Sequence, residues 1–143
     1  MNPVSTGETP NFAILVVDDD PDLLRFIAAT LRRSGYTVFA AADSREAVKA
    51  LTQHGPLIQV LLIDVVMPEL SGPHLAQQLM ELRPELVVVY MSGYRRDHLE
   101  RFGPLLDPAR LLSKPFTPKE LMSAIEEASY RAGRTHRQGS GSV

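Results

Sequence analysis

Short apolar runs alternate with segments of helical periodicity along most of this 143-residue chain. Continuous apolar runs are typical of strands buried on both faces, as in a parallel sheet. Parallel neighbours need a crossover connection, usually a helix, between one strand and the next. The predicted strands cover residues 12–17, 36–40, 60–63, 86–91 and 110–112. The alternation therefore predicts an α/β domain built on a five-stranded parallel sheet.

The stretches between the predicted strands carry signals for helix starts and stops. Helix starts are indicated at Pro21, at Asp43 or Ser44, at Ser71, near Arg95 and at Thr117. The third helix places Leu75, Leu79 and Leu82 at i, i+4 and i+7, so we expect this stripe to face the core. Right-handed crossovers then predict an open, doubly wound, flavodoxin-like sheet of strand order 2-1-3-4-5, with helices on both faces.

The polar ends of the chain set the predicted domain limits. Residues 1–11 are interrupted by Pro and Gly, and the last residues are basic, Gly-rich and Ser-rich. Such segments have too few apolar side chains to join a core. We therefore expect a disordered segment at 1–11, one domain at 12–131, and a disordered tail or linker at 132–143.

Charge and composition exclude several classes of protein. The formal net charge is -2, whereas a nucleic-acid-binding domain normally carries a basic excess. The absence of cysteine rules out disulfides. No apolar run approaches the roughly 20 residues that span a bilayer, and the first residues lack the pattern of a signal peptide. These features favour a cytoplasmic protein with no membrane partner and no direct nucleic-acid partner.

Polar residues follow four of the predicted strands. Asp18, Asp19 and Asp20 follow the first, Asp64 the third, Ser92 the fourth and Lys114 the fifth. In an open parallel sheet, ligands bind outside the carboxyl ends of the strands where the strand order reverses, here between strands 1 and 3. The sequence therefore predicts that these side chains share one site.

Clustered carboxylates repel one another unless a cation lies among them or some are protonated. Oxygen ligands without His or Cys select a hard cation, and Mg2+ fits because it accepts one or two carboxylates and keeps positions open for phosphate oxygens. Phosphoryl transfer needs an aligned nucleophile and charge neutralisation, and a carboxylate can serve as the nucleophile. These residue types therefore point to Mg2+-dependent phosphoryl chemistry.

Four motifs in register resemble the receiver domain of two-component response regulators. They are Ile-Leu-Val-Val-Asp-Asp-Asp at 14–20, Asp64-Val65-Val66-Met67-Pro68 with Gly72, Ser92-Gly93, and Lys114-Pro115-Phe116. The resemblance extends from about Phe12 to about Arg131. It implies a phosphoacceptor that phosphorylates itself from a donor, rather than a turnover enzyme.

The resemblance also implies a role for each matching residue. Asp64 is the expected phosphoacceptor, Ser92 the hydroxyl that moves toward the phosphoryl group, and Lys114 its counter-charge. The expected Mg2+ ligands are Asp18, Asp19, Asp64 and the backbone carbonyl of Val66. The Lys114–Pro115 peptide bond is expected to be cis, a geometry essentially confined to proline.

Three positions depart from the commonest pattern of the family. Leu111 stands where an aromatic switch residue is expected, so the signal is expected to travel by loop and helix movement. Val66 and Tyr94 flank the expected water access to the acceptor. Their bulk and apolar character predict slow hydrolysis of an aspartyl-phosphate.

The resemblance implies a histidine kinase or a phosphotransfer protein as the phosphodonor, and a downstream partner protein or fused effector domain as the output. In this family the usual signalling surface is built by strand 5 and the last two helices, which here include Arg95, Arg96 and residues 117–131. The stretches 91–94 and 112–118 also resemble receivers attached to hybrid histidine kinases.

Three other functions can be compared with the pattern, and the second of them, a nucleotide or flavin binder, is rejected. Asp18-x-Asp20 is similar to the nucleophile motif of haloacid-dehalogenase-type phosphatases, but Pro21-Asp22-Leu23 follows where that family has Thr or Ser. A nucleotide or flavin binder would need a Gly-rich or Ser/Thr-rich phosphate loop after strand 1, and three aspartates there would repel phosphate. A pseudo-receiver that acts only as a binding module remains open, although all five expected active-site side chains are present.

Overall fold

A computed structural model describes residues 13–94 and 111–141, with side chains described through residue 133. The strands are β1 Ala13–Val17, β2 Thr37–Ala41, β3 Ile58–Asp64, β4 Val87–Ser92 and β5 Leu111–Ser113. The helices in these ranges are α1 Pro21–Arg33, α2 Ser44–His54, α3 Gly72–Leu82 and α4 Pro118–Gly141. The helix expected near 95–101 and the disordered segment expected at 1–11 lie outside the described residues.

The five strands form one parallel sheet of order β2-β1-β3-β4-β5, so the predicted architecture is confirmed. The order reverses at β1, because β2 pairs with one of its edges and β3 with the other. Every residue of β1 and β4 is buried. Strands buried on both faces are typically near-continuous apolar runs, which is why β1 and the part of β4 before Ser92 are recognisable in the sequence.

Apolar side chains form a packed layer on each face of the sheet. On one face, Leu24, Ile27 and Leu31 of α1 meet Leu121, Ile125, Ala128 and Ala132 of α4 over the side chains of the strands. On the other face, Ala47 and Leu51 of α2 pack beside Leu75, Ala76 and Leu79 of α3. The helices therefore lie on both faces, as predicted.

Local sequence signals account for most helix ends. Asp20 caps α1 and Asp43 caps α2, each accepting from backbone N–H groups of the first turn. Thr117 and Glu120 form a reciprocal capping box at the start of α4. After α1, Gly35 adopts a φ of 97°, a left-handed conformation that a residue with a Cβ enters only at a cost. The chain thereby turns sharply into β2.

Two details differ from the expectations. Leu82 is 58% exposed, so the prediction that it faces the core with Leu75 and Leu79 is wrong; it is the last residue of α3, where the chain leaves the sheet. Helix α4 continues past Arg131, and Ala132 is buried in the core, so the packed part of this helix includes a residue placed in the predicted tail. Within the described residues, no helix is long and apolar enough to cross a membrane.

Candidate functional site

The carboxyl ends of the strands bring the predicted site residues together. Asp18 directly follows β1, Asp64 and Ser92 end β3 and β4, and Lys114 directly follows β5. Backbone hydrogen bonds extend the sheet past the strand ends: Asp18 N donates to Ala41 O at 3.2 Å, and Lys114 N donates to Ser92 O at 2.8 Å. Each side chain therefore projects from a backbone that the sheet holds in place.

Three carboxylates form a compact acidic pocket at the point where the strand order reverses. One carboxylate oxygen from each of Asp18, Asp19 and Asp64 lies within 4.8 Å of the other two. Asp18 and Asp64 are buried, whereas Asp19 is exposed. The pocket thus has a closed side and an open side, and Asp19 forms part of the open side.

Asp20, the third acid of the run, is used differently. Its carboxylate accepts hydrogen bonds from the backbone N–H groups of Asp22 at 3.0 Å and Leu23 at 3.3 Å. It therefore caps α1, while the Asp20 backbone N–H donates to Asp18 Oδ1 at 2.9 Å. The run of three acids divides into two members of the pocket and one helix cap.

Lys114 neutralises the closed side of the acidic pocket. Its Nζ donates to Asp18 Oδ2 at 2.9 Å and to Asp64 Oδ2 at 3.1 Å. Burial alone would lower the pKa of Lys114, but the hydrogen bond to Asp18 and the charges of Asp64 and Asp18 outweigh it, and the pKa is raised. The ammonium group is therefore firmly charged at neutral pH.

Asp64 has a raised pKa for two reasons. Burial disfavours its charged form most, and the charge of Asp18 adds to this effect. The charge of Lys114 and the backbone N–H of Val66, which donates to Asp64 Oδ1 at 3.2 Å, lower the pKa and offset part of the rise. The carboxylate is thus poorly compensated, and a second cation would stabilise its charged form.

The remaining predicted site residues lie around Asp64. Val66 is partly exposed and contributes its backbone N–H to Asp64. Ser92 is 1% exposed, and its Oγ accepts from the backbone N–H of Tyr94 at 2.9 Å, which orients the hydroxyl. Tyr94 itself is 46% exposed. The Lys114–Pro115 peptide bond is cis, as predicted.

Two open cavities adjoin the pocket. One of about 140 Å3 is lined by Asp19, by Ala42 to Ser44 and by Met67 to Leu70. The other, of about 320 Å3, is lined by Asp20, Leu23, Lys114, Pro115 and Phe116. Asp19 and Lys114 are therefore reachable from solvent, although Asp18 is not.

The donor set suits a hard divalent cation. Among the described residues, the side-chain ligands in the pocket are all carboxylate oxygens, and the ammonium group of Lys114 contacts two of the three acids. Mg2+ is commonly bound by one or two carboxylates together with water and phosphate oxygens. The residues present fit such an ion on the side of the pocket that includes Asp19.

Comparison with known proteins gives one family. Residues 14–126 match the model of the response regulator receiver domain. The chain is 34% identical over 114 residues to the response regulator receiver protein CpdR of Brucella abortus, covering 80% of this chain and 93% of CpdR. It is 32% identical over 123 residues to the sensor kinase CckA of the same organism, covering 86% of this chain but only 13% of the kinase. It likewise spans only 54% of the response regulator SaeR of Staphylococcus aureus.

Solved structures agree with this result. A response regulator receiver domain protein from Clostridium thermocellum has a TM-score of 0.74 at 28% identity, covering 87% of this chain and 98% of that one. A CheY-like receiver protein from Methanospirillum hungatei has a TM-score of 0.76 at 25% identity, covering 88% and 99%. The match over most of the chain, together with the acidic pocket of Asp18, Asp19 and Asp64, shows that this chain belongs to the response regulator receiver domain family of two-component signal transduction.

Proposed function

We propose that this receiver domain accepts a phosphoryl group on Asp64 from a histidine kinase or a phosphotransfer protein, and changes conformation to control a partner. The observation that carries the proposal is the contact of Lys114 Nζ with both Asp18 and Asp64 at the edge of a pocket of three carboxylates. A nucleophile, a fixed ammonium group and a set of metal ligands are the parts that phosphoryl transfer requires.

In the proposed step, a carboxylate oxygen of Asp64 attacks the phosphorus atom of the donor. A new P–O bond forms while the P–N bond of a phosphohistidine, or the P–O bond of an acyl phosphate, breaks. The leaving group takes the electron pair of the broken bond, and the imidazole takes up a proton from solvent. The carboxylate supplies the nucleophile in its charged form, so no general base is needed.

A bound Mg2+ would be held by Asp18, Asp19, Asp64 and the Val66 carbonyl, and would neutralise charge on the phosphoryl oxygens. The chain's own residues supply the rest. Lys114 already lies 3.1 Å from Asp64 Oδ2 and would remain beside the phosphoryl group as its counter-charge. The buried Ser92 hydroxyl would donate to a phosphoryl oxygen once it turns toward Asp64.

The phosphodonor and the output are proposed from the family. The chain matches almost the whole of CpdR but a small part of the sensor kinase CckA, so its relatives include both a single receiver protein and a receiver within a kinase. The output would be a downstream partner protein or a fused effector domain. A cytoplasmic location and the absence of a direct nucleic-acid contact also remain proposals.

The phosphatase alternative is weakened by the role of Asp20. The hypothesis of a haloacid-dehalogenase-type phosphatase requires Asp18 to act as the nucleophile and Asp20 as its acid partner. Here Asp18 is buried against Lys114, and Asp20 is engaged by two backbone N–H groups of α1. The arrangement favours Asp64 as the acceptor.

The test is incubation of the protein with acetyl phosphate and MgCl2, followed by intact-mass measurement. We expect the mass of one added phosphoryl group per chain, and no addition in Asp64→Asn or when EDTA replaces the metal. Labelling of Asp64→Asn to the same extent would contradict the proposal. Continuous turnover of a phosphate ester would favour the phosphatase, and no labelling of a folded wild-type protein would favour a pseudo-receiver.

A further inference from the structure

Gly72 lies against the backbone of Asp64. It is the buried first residue of α3, and its N–H donates to Val65 O at 2.8 Å. An ideal Cβ at this position would lie 2.0 Å from Asp64 O and 2.9 Å from both Asp64 C and Val65 Cα. Cβ atoms essentially never approach other atoms so closely, so the first turn of α3 and the end of β3 fit together only without a side chain at residue 72.

The reason for glycine here is space rather than backbone conformation. Among the glycines of the described ranges, Gly35 has a positive φ, and Gly72 does not. An alanine could therefore adopt the same dihedral angles. The atoms that it would meet belong to the backbone of residues 64 and 65, which the sheet holds through the pairing of Asp64 with Met91 and the bond from Val65 N to Met91 O at 2.9 Å. A methyl group must therefore move α3, the 64–66 segment, or both.

The 64–66 segment carries half of the proposed metal ligands. The Asp64 carboxylate and the Val66 carbonyl would come from this segment, whereas Asp18 and Asp19 come from the end of β1. A displacement next to Gly72 would thus shift one half of the ligand set relative to the other. Mg2+ demands near-ideal octahedral geometry at roughly 2.0–2.1 Å, whereas Ca2+ accepts six to eight ligands at about 2.3–2.6 Å in flexible arrangements.

We propose that Gly72 is a positioning residue for the divalent cation: the close approach of α3 to the Asp64 carbonyl sets the ligand spacing that favours Mg2+ over Ca2+. The inference rests on the proposed metal site and adds to it a residue that touches neither metal nor phosphoryl group. Residues that orient metal ligands typically change metal affinity by roughly 10–100-fold when they are altered.

The test is calorimetric titration of Gly72→Ala and the wild-type protein with MgCl2 and, separately, with CaCl2. We expect Mg2+ affinity to fall by about tenfold or more and Ca2+ affinity to change much less. Equal losses for the two ions, or an unchanged Mg2+ affinity, would overturn the proposal. A wild-type protein that binds both ions equally well would also overturn it, whereas one that binds neither would instead contradict the proposed function.

Two glycines serve as controls. A Cβ at Gly55 would lie 2.7 Å from Leu51 O, so Gly55→Ala should destabilise the fold. Gly55 precedes the first residue of β3, whereas Asp64 is its last, so this substitution should leave the Mg2+/Ca2+ ratio unchanged. A Cβ at Gly133 would meet nothing within 4 Å, and Gly133 lies inside α4, so Gly133→Ala should stabilise the helix slightly and leave the Mg2+/Ca2+ ratio unchanged. If Gly55→Ala changed the Mg2+/Ca2+ affinity ratio, strain anywhere in the fold would be enough to change it, and the proposed role of Gly72 would be contradicted.

A second variant decides the matter if Gly72→Ala does not fold. Ser71→Ala removes the hydroxyl that caps α3 and adds no atom near Asp64. Because it loosens the same turn without a clash, we expect a smaller loss of Mg2+ preference, about threefold, at unchanged Ca2+ affinity. An unchanged preference in folded Ser71→Ala would overturn the proposal.

Discussion

The charged form of Asp64 destabilises the folded protein relative to the neutral form, because burial and the charge of Asp18 disfavour it. An acid with a raised pKa binds its proton more strongly in the folded state, so its contribution to stability is fully present below the unfolded pKa, about 3.9, and is lost as the pH rises through the folded pKa. Above its folded pKa, the charged Asp64 therefore lowers the free energy of unfolding. This is the cost of holding a buried carboxylate beside Asp18 without a metal ion.

We predict that Asp64→Asn raises the free energy of unfolding of the metal-free protein at pH 7. Asparagine keeps the shape of the side chain and removes the charge that burial and Asp18 disfavour. This difference in the free energy of unfolding should disappear near pH 3, where Asp64 of the wild type is mostly protonated in both the folded and the unfolded state. Urea denaturation in EDTA at the two pH values checks this. A variant less stable than the wild type at pH 7 would show that the pairing with Lys114 outweighs burial and repulsion.

We expect Val66 and Tyr94 to affect a different property, the lifetime of the proposed aspartyl-phosphate. Val66 is partly exposed and follows Asp64 by two residues, and Tyr94, whose backbone N–H donates to Ser92 Oγ, is 46% exposed. An apolar side chain there would offer no hydrogen bond to an attacking water molecule, and a bulky one would narrow the access of water to phosphorus. We predict that Val66→Asn and Tyr94→Glu each release phosphate several-fold faster than the parent protein in a time course after removal of the donor. Rates no faster than those of the parent would contradict the prediction.

At the scale of the elements, the first turn of α1 depends on Asp20. Replacing a capping aspartate by alanine costs about 1 kcal/mol, because two backbone N–H groups lose their acceptor. We predict that Asp20→Ala lowers stability by this amount and is still labelled by acetyl phosphate to the same extent as the wild type. Denaturation and intact-mass measurement check the two parts. Loss of labelling in a folded Asp20→Ala would restore a chemical role for this acid.

Strand ends and helix starts explain how far the sequence could predict this site. The buried strands β1, β3 and β4 are readable as apolar runs, and a polar residue after such a run must lie at the edge of the sheet. The resemblance assigns Asp18 and Asp19 to the metal site, but the sequence does not show that Asp20 caps α1, because that depends on the direction in which the chain leaves β1. The contact of Gly72 with Asp64 was also missed, because spacing does not show how closely two backbones approach. Leu82 illustrates a third limit. It continues the helical spacing of Leu75 and Leu79, but α3 ends at Leu82 and leaves the side chain exposed.

At the scale of the whole molecule, the pocket exists only in the folded state. Lys114 and Asp18 are 96 positions apart in the chain, and Lys114 and Asp64 are 50 positions apart. Asp18 and Asp64, the two acids that Lys114 contacts, are likewise far apart in the sequence. An unfolded chain cannot present these carboxylates together, so an ion bound at the pocket must stabilise the fold. The increase in the free energy of unfolding is set by the ratio of the free metal concentration to Kd, so it can be varied by experiment.

We predict that MgCl2 at about 100 times its Kd stabilises the protein by about 2.7 kcal/mol. At roughly 3 °C per kcal/mol for a chain of this size, the melting temperature should rise by about 8 °C. Asp19→Asn should lose most of this rise and yet melt close to the wild type in EDTA, because Asp19 is exposed. Glu81→Gln, which removes an exposed charge from α3, should keep the full rise. Differential scanning calorimetry measures these melting temperatures. If Mg2+ raised the melting temperature of Asp19→Asn as much as that of the wild type, the ion would have to bind elsewhere on the molecule.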